Sequence, residues 1–180
     1  HGPVKVFADE YPDCNDYDQN SNLEIQRIGG FKIFRKFRKA YAVNEYLRSN
    51  KIRSIFFDHW KSLEHVNLDY LSSNSNFCLI HSKEINHPIN SSLNIRMNKA
   101  FKKAHYIIAN SKYTKELAIS MGLEKEKIHI IHPGTNYPIK INNEDEAKAK
   151  DIFRSAFPKI ITIARLDKRK NHQNILMTVK

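Results

Sequence analysis

Apolar and polar positions change period repeatedly along this chain. Short runs of β-branched and aromatic residues at 4–8, 23–28, 54–58, 77–81, 105–109, 127–131 and 159–164 have the length and composition of strands. Between them, apolar positions recur at helical spacing over 31–49, 63–72, 91–103, 113–121, 144–154 and 171–179. Strand alternating with helix predicts an α/β fold, a Rossmann-like parallel sheet with flanking crossover helices. Ser111, just ahead of Lys-Tyr-Thr-Lys-Glu, is suited to cap a helix start by accepting from a free backbone N–H. Gly122 can adopt the left-handed conformation that closes the same helix.

Both periods fail from 133 to 143, where Pro, Gly and Asn collect. This predicts a boundary near 138, with one domain over 1–138 and, over 139–180, a linker and the beginning of a second. Gly134, between Pro133 and Thr135, reads as a hinge turn. One strand and two helices cannot close a core, so the second Rossmann-like domain is expected to be truncated. The opening His1-Gly-Pro-Val-Lys has neither Met nor a charged-then-apolar leader, and reads as a cut inside a larger protein.

Composition narrows the class. The 180 residues are 41% apolar and include 10 Phe, 8 Tyr and 1 Trp, enough bulky side chains for a core. Collagen-like and disordered readings are excluded, and no run reaches the ~20 apolar residues of a membrane span. A net charge of +11 predicts an anionic partner: a phosphorylated small molecule, a membrane surface or nucleic acid. Between Phe31 and Arg53 stand eight basic residues and one acid, Glu45. On a helix of 100° per residue, Ile33, Phe37, Ala40, Tyr41 and Leu47 are expected to face a sheet, with Lys32, Arg35, Lys36 and Lys39 in water. Arg96, Lys99, Lys102 and Lys103 on a later helix would extend that patch. Cys14 in a polar stretch and Cys78 in an apolar run suggest a reducing, cytoplasmic setting rather than a disulfide framework.

Several chemistries find no support. Asp16-Tyr-Asp18 has the Asp-x-Asp form of a metal site, but its polar surroundings read as a solvated loop. His129 and His132, three apart at a strand, face opposite sides and are not expected to share zinc. There is no P-loop, nucleophile elbow or paired-Cys pattern.

Four stretches in order carry a resemblance: Phe56-Phe-Asp-His-Trp; Cys78-Leu-Ile-His-Ser; His105-Tyr-Ile-Ile-Ala-Asn-Ser-Lys-Tyr-Thr-Lys-Glu-Leu with Lys127-Ile-His-Ile-Ile-His-Pro-Gly-Thr-Asn; and Ile161-Thr-Ile-Ala-Arg-Leu-Asp-Lys-Arg-Lys. Over residues 54–180 the chain resembles a family 4 glycosyltransferase of the GT-B type. The resemblance implies two Rossmann-like domains facing a cleft, with the acceptor on the first and a nucleotide-sugar donor on the second. It also implies that the family's first strand and glycine-rich loop lie before His1, and its donor-holding Glu-x7-Glu beyond Lys180. The chain by itself is then expected to lack turnover.

The implied activity is retaining transfer of a sugar from a nucleotide-diphosphate sugar to a glycan or lipid-linked hydroxyl, with no cofactor and no metal. Arg165 and Lys170 match residues that bind the donor diphosphate, where fixed cations stabilise the charge that develops on the leaving group; otherwise they belong to a solvated basic turn. Asn171 stands where the family usually has Gly. His81 is the catalytic candidate, contacting the donor sugar near the reacting carbon rather than acting as a general base; a lone His is otherwise a structural hydrogen-bonding residue. Asp58 and His59 are the acceptor-side candidates, while Ser82, Asn110 and Ser111 would line the cleft. Lys32, Arg35, Lys36 and Lys39 would meet anionic lipid on the cytoplasmic membrane face, since many family members act on membrane acceptors. The alternative is a non-catalytic basic α/β module that binds anionic membrane or nucleic acid.

Overall fold

In a computed structural model the chain is described over residues 3–71, 75–136, 142–155 and 157–179. It divides into two compact units, His1–Gly134 and Thr135–Lys180. The boundary anticipated near 138 falls outside the described residues.

The first unit runs β1 (Lys5–Asp9), α1 (Cys14–Gln19), β2 (Glu24–Ile28), α2 (Lys32–Ser49), β3 (Ile55–Phe57), α3 (Trp60–Leu63), β4 (Asn76–Ile80), α4 (Ser82–Ile85), α5 (Ser92–Lys102), β5 (Tyr106–Ala109), α6 (Lys112–Ser120) and β6 (Ile128–Ile130). β1 and β2 form a parallel pair, and β3-β4-β5-β6 a second, wholly parallel sheet. Because the strands of this second sheet follow one another in a single direction, right-handed crossovers carry α3, α5 and α6 to the same face. There Phe57, Cys78, Ile80, Ile107, Ala109 and Ile128 pack with Trp60, Leu63, Met97, Phe101 and Ala118. The opposite face carries a ring ladder: Phe56 stacks on Phe77 at 4.6 Å and Phe77 on Tyr106 at 5.0 Å. Phe56 is 65% exposed. This two-sidedness is why burial alternates along β4 although most of its residues are apolar.

Capping fixes the helix ends. Thr114 N–H donates to Ser111 Oγ at 3.2 Å, and Gly122, at φ +94°, ends α6. The helix anticipated over 63–72 is absent: α3 is finished by Leu63, and a 3-10 turn follows at Leu68–Tyr70. Asn67 starts that turn by accepting from Asp69 N–H at 3.0 Å, while its own N–H donates to Asn44 Oδ1 at 2.8 Å, so the chain is turned aside before a second helical turn can form. Asp16 and Asp18 lie on α1 rather than in a loop; Arg27 donates to both Asp18 oxygens, at 2.8 and 2.5 Å, and holds that carboxyl below its usual range.

α2 keeps only part of the anticipated division of faces: Ala40 and Leu47 pack and Lys32 stays exposed as expected, but the rest differs. Ala40, Val43 and Leu47 are buried, but Phe31, Ile33, Phe34, Phe37 and Tyr41 are exposed. The helix has two adjoining apolar stripes, and only the one through Ala40, Val43 and Leu47 packs. Arg35 and Lys39, placed in water by the sequence reading, turn inward to Asp9 at the end of β1, at 3.8 and 2.6 Å. Arg38 donates to the Gly29 carbonyl and to that of Phe31 at 3.1 Å. A carboxylate and open carbonyls at the strand ends draw these cations in, and the helix rotates accordingly.

The second unit holds α7 (Asn143–Ile152) and α8 (His172–Thr178). Glu144, Asp145 and Glu146 occupy the first turn of α7, where the helix dipole favours anions. The strand anticipated at 159–164 does not form: these residues are exposed and have no ladder partner among the described residues. A strand needs a neighbour to satisfy its backbone groups, and the described residues of this unit supply none.

A candidate site at the strand ends

In an open parallel sheet, ligands bind at the carboxyl ends of the strands, where connecting loops and helix N-termini converge. The ends of β3, β4 and β5 carry the candidates His59, His81 and Asn110, each followed at once by a helix start.

After β3, Asp58 Oδ1 accepts from Ser62 Oγ at 2.9 Å, and His59 Nδ1 accepts from Lys61 N–H at 3.0 Å, capping α3. Burial pushes the His59 pKa below its usual value, against an opposing pull from Glu84. After β4, the His81 backbone N–H donates to the Glu84 carboxylate, and its ring stays exposed with Nδ1 3.4 Å from the Asn110 amide nitrogen. Trp60 Nε1–H donates to the Glu84 carbonyl at 3.0 Å, which ties α3 to α4. After β5, Thr114 Oγ1 donates to Asn110 Oδ1 at 2.7 Å, and Ser111 Oγ lies 3.0 Å from Thr114 Oγ1. His81, Asn110 and Ser111 are thus joined in one network, and Ser82 opens α4 beside it. Asp58 and His59 stand one strand end away, occupied by capping contacts.

Other candidates lie elsewhere. Arg165 and Lys170 belong to the second unit and are exposed. Asp167 N–H donates to the Arg165 carbonyl and Lys170 N–H to that of Asp167, both at 2.8 Å, making a tight turn into α8. Asn171 ends that turn at φ +53°, a left-handed conformation that Asn tolerates better than most residues. Gly134 has no heavy atom within 4 Å of a built Cβ, so space does not require glycine there.

The sequence reading missed Thr114 and Glu84. Thr114 is 2% exposed and sits four residues after Asn110, the spacing that lets a helix side chain reach back to the residue before the cap. That spacing was the available signal.

A wholly parallel sheet with helices packed against it defines a Rossmann-like α/β protein. Residues 3–137 match the model of Glycosyltransferase Family 4, and the chain belongs to that family. Among solved structures it resembles HepE from Anabaena, crystallised in complex with UDP, with a TM-score of 0.58 and 13% identity over 83% of this chain. The match spans 50% of the HepE chain, so these residues correspond to about half its length; at this identity the likeness speaks for the GT-B fold. No curated protein matches the sequence.

Proposed function

We propose that the chain is the acceptor-side domain, with the opening of the donor-side domain, of a retaining glycosyltransferase that moves a sugar from a nucleotide-diphosphate sugar to a hydroxyl on a glycan or lipid-linked acceptor. The observation that carries this reading is the cluster of His81, Asn110 and Ser111 at the carboxyl ends of β4 and β5 in a Glycosyltransferase Family 4 chain. As the bond between the sugar and the diphosphate breaks, negative charge grows on the leaving group, and Arg165 and Lys170 are assigned to neutralise it without a metal. His81 contacts the donor sugar. Asp58 and His59 orient the acceptor hydroxyl, and Gly134 serves as the hinge.

UDP, present in the HepE crystal, is the first nucleotide to try. Titrated calorimetrically into the gene product that carries these 180 residues, UDP or GDP is expected to bind. Arg165→Ala and Lys170→Ala should each weaken that binding about tenfold or more, as loss of a charge-assisted hydrogen bond does. Absence of binding by both nucleotides overturns the reading for those donors.

The same proposal includes a peripheral contact with an anionic membrane from the cytoplasmic side, made through the exposed aromatic stripe of α2 and its flanking cations. No helix among the described residues is long and apolar enough to cross a membrane.

A further inference from the structure

Asp58 and His59 each give one atom to the first turn of α3. Lys61 N–H donates to His59 Nδ1 at 3.0 Å, and the Ser62 hydroxyl donates to Asp58 Oδ1 at 2.9 Å. Neither bond can be reversed, because a backbone N–H only donates and an ionised carboxylate only accepts. His59 Nδ1 therefore carries no proton, and the neutral ring holds its single proton on Nε2. Burial lowers the His59 pKa, which keeps the ring neutral. Nε2 has no hydrogen-bond partner among the described residues and is not sealed in the interior, so its N–H reaches the surface. Asp58 Oδ2 has no such partner among them either.

The charges facing His59 limit what can meet these two free atoms. They are the carboxylates of Glu84 and Asp58 and the ammonium of Lys61, with the His81 ring beside them. An anion would meet more negative charge than positive. A hydroxyl, which donates and accepts at one oxygen, suits both a free N–H and a free carboxylate oxygen. We infer that the end of β3 is a hydroxyl-recognition subsite that rejects anions, in which His59 Nε2–H donates to a sugar hydroxyl and Asp58 Oδ2 accepts from the sugar. His59 is then a donor to the ligand and not its base. This rests on the proposed glycosyl transfer for the role of that sugar as acceptor; the tautomer and the preference for hydroxyls are properties of the chain alone.

NMR on the nitrogen-labelled 180-residue chain tests this without nucleotide. At neutral pH, His59 Nδ1 is expected to give the unprotonated resonance and Nε2 the protonated one. Methyl glucoside and methyl mannoside are then titrated in, and inorganic phosphate separately. The readouts are the His59 ring and the indole N–H of Trp60, the one tryptophan, whose ring lies 5.7 Å from that of His59. A glycoside should shift both signals, and phosphate at the same concentration neither. His59→Asn and His59→Asp both keep an oxygen to cap α3, but only Asn keeps a donor. Followed at Trp60, the Asp variant should bind the glycoside about tenfold more weakly than the Asn variant, because a donor to the sugar has been replaced by an unmatched acceptor. An Nδ1–H tautomer, a phosphate response equal to that of the glycosides, no response to either glycoside, or equal affinity in the two variants overturns the inference. Failure of UDP and GDP to bind with these results intact would instead remove the transfer reading alone.

Discussion

At the scale of single residues, polarity was the weaker guide and available hydrogen bonds the stronger. Cys78 is fully buried, as its apolar neighbours implied, and burial raises its thiol pKa far above the usual range, so it serves as a small core side chain. His59 behaves differently. Its pKa is lowered chiefly by desolvation, so the unfolded chain binds the proton more tightly than the folded one. The associated stability is present above the ordinary histidine pKa of about 6.5 and is lost as pH falls through the lower folded value. Replacing His59 with Asn, which can still cap α3, should flatten the fall in stability between about pH 7 and pH 5. Denaturant melts at several pH values would show it, and an unaltered slope would mean that His59 is not held neutral.

At the scale of elements, the six strands of the first unit were legible to within about a residue at each end, because β-branched and aromatic runs bounded by turn residues have few other solutions. Helix faces were less legible. α2 has two apolar stripes of similar length, and only tertiary contacts, Asp9 above all, decide which one packs. Short helices such as α1 and α4 lack enough turns to establish a period, and 159–164 looked like a strand because composition does not report whether a neighbour exists. The candidate site was half legible: strand ends pointed to His81 and Asn110, but the Thr114 hydroxyl was hidden inside a helix read only for its apolar period. Long-range ion pairs were invisible in the same way. Arg96 on α5 donates to both Glu64 oxygens, at 2.7 and 2.8 Å, and holds that carboxyl below its usual value. Arg96 is partly exposed, so solvent screening limits the pair, and Arg96→Met should cost about 1 kcal/mol at neutral pH. Because the folded carboxyl has the lower pKa, that difference should vanish as acid protonates Glu64. A double-mutant cycle with Glu64→Gln would read the coupling, and additivity of the two changes would deny it.

At the scale of the whole molecule, the net charge of +11 and the exposed stripe on α2 make a joint prediction. Several cations of this segment are engaged internally: Lys39 with Asp9, Arg38 with backbone carbonyls, and Lys36 over the Phe37 ring at 4.7 Å. Attachment to a membrane through local basic residues alone would therefore be weak. Phe31, Ile33, Phe34, Phe37 and Tyr41 lie along one exposed side, with Lys32 exposed beside them, an arrangement that inserts rings at the headgroup boundary while the overall positive field attracts anionic lipid. The two contributions separate by salt. The long-range attraction is screened over about 8 Å at physiological ionic strength, whereas ring insertion is not. In co-sedimentation with vesicles rich in phosphatidylserine, binding should therefore fall as salt rises but retain a remainder. Phe34→Ser with Phe37→Ser should abolish that remainder, while Lys32→Ala should lower only the salt-sensitive part. Binding that vanishes at high salt in the unsubstituted chain, or survives loss of both rings, would remove the α2 stripe from the membrane contact and leave attraction by diffuse charge in its place.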